Sequence, residues 1–128
     1  MHESHPLAKQ KSIIFNDLKQ VNYVDRLRCE FRDTFLDELK SREINLQLVV
    51  RSEREDLISE SISNSIGVTT MPRSAAEHAG LTNRTFDDML LTQNISIVTV
   101  KNRELHPAVI QFMVRALSEP PQQLQTIS

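Results

Sequence analysis

Residues 44–72 read INLQLVVRSEREDLISESISNSIGVTTMP, and the succession of apolar patterns in this stretch decides the fold class. The run 44–50 mixes polar and apolar positions and ends in the β-branched pair Val49-Val50, as a strand does. Leu57, Ile58, Ile62 and Ile66 then repeat at helical spacing. Ser52 and Glu55 stand three apart ahead of that helix, the spacing of a capping box. The serines at 59, 61, 63 and 65 would suit a strand, but isoleucines four apart favour the helix. Gly67 is placed to close it in the left-handed conformation, and 68–71 forms a second short strand stopped by Pro72. Strand, helix and strand in this order predict a crossover and parallel pairing.

The same reading extends in both directions. Residues 21–24 are a short strand, and 28–42 a helix whose Phe31, Phe35, Leu36 and Leu39 make one apolar stripe. The run 74–79 is a short helical stretch closed by Gly80, and 81–86 a weaker strand. Residues 95–100, ISIVTV, give the clearest strand of all. A last helix carries Val109, Phe112, Met113, Ala116 and Leu117 on one stripe, with Pro107 at its first position and Pro120-Pro121 at its end. The expected fold is α/β, a mostly parallel sheet flanked by helices. Residues 1–11 are expected to be a polar leader, 12–118 the folded domain and 119–128 a flexible tail.

Composition narrows the function. The chain has 128 residues, 39% hydrophobic and 25% charged, as an ordinary globular protein does. No apolar run approaches the roughly 20 residues that span a bilayer, and the start is not a secretory signal, so a cytoplasmic chain is expected. Net charge is −2, with 15 Lys and Arg scattered among 17 acids, which argues against direct DNA binding and against a membrane partner. One cysteine rules out an internal disulfide.

In an open parallel sheet, ligands sit beyond the carboxyl ends of the strands. Those ends carry Asp25 and Arg26, then Arg51 and Ser52, then Pro72 with Arg73 and Ser74. A guanidinium beside the free N–H groups of a helix start suits a small anion. The plainer alternative is a set of ordinary helix caps and solvated charges. Asp25, Arg26, Arg51, Ser52 and Pro72 are the candidate effector-binding residues. Cys29, flanked by Arg26, Arg28 and Arg32, is a candidate for redox sensitivity, or it packs as a small apolar residue. The histidines at 2, 5, 78 and 106 lack metal-ligand spacing, and no nucleophile elbow, phosphate loop or dinucleotide fingerprint occurs. Neither an enzyme, a metal nor a cofactor is expected.

The segments resemble, in order, the second half of the effector-binding domain of LysR-type transcriptional regulators. The resemblance covers residues 5–118. It is carried by His5-Pro6-Leu7-Ala8, by Asp17-Leu18, and by the runs 23–33 and 51–58. The joint Ser65-Ile66-Gly67-Val68-Thr69-Thr70-Met71-Pro72 and the closing Ile97-Val98-Thr99-Val100 with His106-Pro107-Ala108-Val109 complete it. Ser65 stands where the family's joint usually has glycine. His106 stands where it often has a capping serine, so the last helix is expected to be less well capped.

The resemblance implies a subdomain like those of type II periplasmic binding proteins, with a C-terminal return helix. It implies a small-molecule effector, a small organic anion, held between two subdomains, with the loop of Arg26 and the pair Arg51 and Ser52 lining the cleft. It also implies homo-oligomers and a winged helix-turn-helix outside this chain. The expected function is that of a regulator fragment that senses the effector and oligomerises through a second copy or the missing first subdomain. The alternative is an autonomous carboxylate-binding protein of the same fold. Without the first subdomain, the last helix would lack its partner, and the chain is expected to self-associate.

Overall fold

Strands β1 (Asn22–Arg26) and β2 (Gln47–Ser52) lie parallel in a two-stranded sheet, in a computed structural model that describes residues 1–89 and 96–118. The helix between them, α1 (Arg32–Ser41), makes the crossover that parallel pairing demands. The ladder pairs Tyr23 with Leu48 but Val24 with Val50, so Val49 is an extra residue on β2, a bulge. Beyond it, Asp25 pairs with Arg51 and Arg26 with Ser52.

The stretch 68–71, expected as a strand, contributes one parallel bridge, Tyr23 to Val68. It is held by Val24 N–H on Val68 O and Val68 N–H on Asn22 O, both 2.8 Å. Gly67 is needed for this approach and not for a helix cap, because a Cβ there would lie 2.4 Å from Asn22 O. The left-handed residue after α2 (Glu55–Ser63) is Ser65, at φ 59. Gly80 does take the left-handed conformation, φ 66, after α3 (Arg73–His78).

Two apolar clusters sandwich the sheet. On one face Phe35 and Leu39 of α1 pack with Phe15, Leu18, Tyr23 and Ile44. The rings of Phe15 and Phe35 are 5.3 Å apart and those of Tyr23 and Phe35 5.6 Å, the spacing of favourable aromatic pairs. On the other face Ile58 and Ile62 of α2 meet Val24, Ala76 and Leu81. The isoleucine spacing therefore marks the buried stripe, although Leu57 and Ile66 remain exposed.

Several boundaries differ from expectation. The first helix begins at Arg32 and not at residue 28, because residues 27–31 turn between β1 and α1. Ile44 lies outside β2 and instead closes α1, its N–H donating to Leu39 O after a left-handed Glu43. The capping box does not form: Ser52 Oγ accepts from Arg54 N–H, and the Glu55 carboxylate faces Arg26. Of the stretch 81–86, only Phe86 pairs, as a bridge with Ile13.

Residues 1–11, expected as a leader, include a 3-10 turn, Pro6–Lys9, with Leu7 and Ala8 buried. Arg84 donates to the carbonyls of Ala8, Gln10 and Asn83, and the Met1 ammonium donates to Thr82 O at 3.0 Å.

Contacts divide the chain into two units, one within Met1–Leu91 and one within Thr92–Ile127. In the second, residues 96–100 do not form the expected strand, and Val98 is 88% exposed. Among the described residues this stretch makes no ladder pairing, and β-branched composition without a paired neighbour does not make a strand. Ile95 and the tail 119–128 lie outside the described residues. Helix α4 (Pro107–Ser118) starts at Pro107 as expected, and none of its residues is buried. At its start His106 Nδ1 accepts from Ala108 N–H at 3.2 Å, as His5 Nδ1 accepts from Leu7 N–H at 3.2 Å.

Candidate functional site

A parallel pair brings its carboxyl ends to one side, so the register sets Asp25 and Arg26 beside Arg51 and Ser52. Successive residues of a strand point to opposite faces. The neighbours Asp25 and Arg26 are parted accordingly.

Asp25 faces α1. Its side chain is 5% exposed, and Arg32 meets it with both oxygens engaged, Nε to Oδ1 at 2.9 Å and Nη2 to Oδ2 at 2.8 Å. Arg51 adds Nε to Oδ2 at 3.0 Å. The Arg32 hydrogen bonds hold the Asp25 carboxyl below the ordinary carboxylate range, with help from Arg51 and against the cost of burial.

Arg26 faces α2. It is 8% exposed, and Glu55 receives its Nε and Nη2, the latter at 2.7 Å. Its Nη1 reaches Thr70 O at 3.3 Å, which ties β1 to the segment after the bridge. Glu55 is the first residue of α2, where a carboxylate also faces the positive end of the helix.

Of the expected site residues, Asp25 and Arg51 share the α1 side, and Arg26 lies on the α2 side. Ser52 ends β2 with its hydroxyl engaged by Arg54, and Pro72 precedes α3, its carbonyl accepting from Ala75 and Ala76. Arg26 and Arg51 thus sit at one end of the sheet but on different faces.

Cys29 lies in the turn before α1, half-buried, with its carbonyl accepting from Arg32 N–H. The three arginines around it in sequence are each paired with a carboxylate: Arg26 with Glu55, Arg28 with Glu53, and Arg32 with Asp25.

Sequence reading missed Arg32 and Glu55 as the partners that fix the candidate residues. For Arg32 the signal was present, an acid and a base flanking one strand-to-helix turn. For Glu55 it pointed elsewhere, since the same residue fits a capping box.

On the Asp25 side, between α1 and β2, opens a cavity of about 370 Å³. Asp25, Arg32 and Arg51 line it together with apolar side chains. This is within the size range of small-molecule sites.

The family profile described as the LysR substrate binding domain matches residues 1–119. Among solved structures, the effector-binding domain of QuiR in complex with shikimate superposes with a TM-score of 0.69 at 22% sequence identity. The superposition covers 92% of this chain and 57% of that one, so this chain spans little more than half the length of the domain it resembles. The shared fold is α/β, of the type II periplasmic-binding-protein kind. No curated protein matches the chain in sequence.

Proposed function

The chain belongs to the LysR substrate-binding domain family, and we propose on that footing that it senses a small organic anion as part of a transcription regulator. The family is one of regulatory, non-catalytic domains. In this reading the chain supplies one wall of the effector cleft, and further protein supplies the other wall and the DNA contacts. In the same reading the domain works in the cytoplasm and assembles with copies of itself. Among the described residues no helix is long and apolar enough to cross a membrane.

The observation that carries the reading is the strand-tip register. It sets Arg26 and Arg51 at the carboxyl end of a parallel pair, where this class of sheet binds its ligands. The shikimate in the QuiR complex supports a carboxylate as the effector class. Arg51, 54% exposed, is the cation available to it, while Arg26 acts by holding the loop through Glu55 and Thr70. Asp25 orients Arg51, and Ser52 and Pro72 shape the two adjoining turns.

A thermal-shift titration with shikimate and benzoate tests this. A ligand at about 100 times its Kd adds about 2.7 kcal/mol of stability. Arg51→Ala is expected to remove the shift, and a shift that survives the substitution removes Arg51 from the site.

A further inference from the structure

Residues 1–11 dock on the rest of the chain through a turn that one titratable side chain caps. His5 stands at the N-cap of the 3-10 turn Pro6–Lys9, where its Nδ1 accepts from Leu7 N–H at 3.2 Å. A ring nitrogen accepts only while it carries no proton, so the cap requires a neutral imidazole with its hydrogen on Nε2. The turn has few bonds of its own: Ala8 N–H donates to His5 O at 2.9 Å and Gln10 N–H to Leu7 O at 3.2 Å. Pro6 has no N–H to give. In so short an element the cap is a large share of what fixes the backbone.

The shape of this turn sets the contact with the stretch 82–84. It buries Leu7 and Ala8 and presents the carbonyls of Ala8 and Gln10 to Arg84. The Met1 ammonium donates to Thr82 O on the same stretch. The charged groups that dock the segment are therefore both cations, Met1 and Arg84. The segment itself carries His2, Glu3, Lys9 and Lys11, of which the last three are exposed. A protonated His5 would donate where it now accepts, and would add a positive charge to the two already there.

We propose that His5 is a proton-operated catch: when its imidazole takes up a proton, the turn opens and residues 5–10 leave Arg84. Burial, and then the Met1 ammonium, hold the imidazole below its ordinary value of 6.5 in the folded chain. The docked state is accordingly favoured in full above that value, and its advantage is lost as pH falls through the lower folded one. Ile13, whose N–H donates to Thr85 O at 2.9 Å, marks where the release stops. None of these residues belongs to the strand tips, so the catch stands apart from the anion reading.

Amide hydrogen exchange of the full chain at about pH 7.5 and about pH 5, on either side of histidine titration, tests the catch. Rates are expressed as protection factors, so that the intrinsic effect of pH cancels. Protection at Leu7, Ala8 and Gln10 is expected to fall about tenfold at the lower pH, while Val68 N–H, bonded to Asn22 O in the sheet, is unchanged. His5→Ser keeps a capping oxygen and takes up no proton in this range, so it should stay protected at both pH values. His5→Ala should be poorly protected at both. A native chain equally protected at both pH values overturns the proposal, as does a His5→Ser chain that still loses protection, which assigns the titration to His2 or another group. So does a His5→Ala chain as well protected as the native one, or an equal loss at Val68, which is general unfolding and not a local release.

Discussion

Asp25 and Arg32, seven positions apart, meet as a two-point salt bridge across the turn from β1 to α1, with bonds of 2.9 and 2.8 Å. The carboxylate is buried and the guanidinium a quarter exposed, so the pair lies between a surface ion pair and a core one. It fixes where α1 begins, and with it the wall of the cavity.

Removing the charge of Asp25 leaves Arg32 and Arg51 facing each other across a neutral amide, with no shared counter-charge. Asp25→Asn is expected to cost about 2 kcal/mol, less than a fully buried pair would, as read by urea denaturation.

The same carboxyl titrates below its ordinary value of 3.8 in the folded chain. Its stabilisation is therefore complete above that value and declines as pH falls through the lower folded pKa. Melting temperature against pH between about 5 and 2 should fall in the native chain and fall less steeply in Asp25→Asn. Parallel curves would contradict the shift.

Ser65 and Gly67 exchange the roles their residue types suggest. Ser65 sits in the left-handed region at φ 59, so Ser65→Gly should stabilise by about 0.5–1 kcal/mol. A Cβ at Gly67 would lie 2.4 Å from the backbone oxygen of Asn22, so Gly67→Ala should cost about 2 kcal/mol or more by parting the bridge to Val68. Chemical denaturation of the two variants should give changes of opposite sign.

His106 caps α4 through Nδ1. His106→Ala should lower the protection of the amides at the start of α4 by about 1 kcal/mol in hydrogen exchange, and His106→Ser should restore most of it.

Helix α4 exposes Phe112 and Leu117, each at about 70%. The chain should sediment faster than a monomer, and Phe112→Asp with Leu117→Asp should shift it towards one. A monomeric native chain would disprove that expectation.

Where one periodic stripe meets one buried face, the sequence is legible. Ile58 and Ile62, or Phe35 and Leu39, could face inward only in a helix laid on the sheet. The parallel pairing of β1 and β2 follows from the crossover. Residues 96–100 mislead because β propensity reports fitness for a sheet and not the presence of a neighbouring strand. At the site, strand order makes legible only that the tips of β1 and β2 lie side by side. The partition of Arg26 from Arg51 cannot be read from it, since it depends on which residue the bulge at Val49 makes extra. Partners such as Glu55 and Arg32 come from other elements, beyond the reach of local pattern.

That bulge also bears on solubility. Strand β2 shows Leu48 and Val49 to solvent, and among the described residues its outer side is unpaired, the profile of a template for amyloid-like growth. One surplus residue twists the backbone and breaks the even spacing of donors and acceptors that an invading strand must match. Restoring a regular ladder by deleting Val49 would therefore turn a guarded rim into a sticky one.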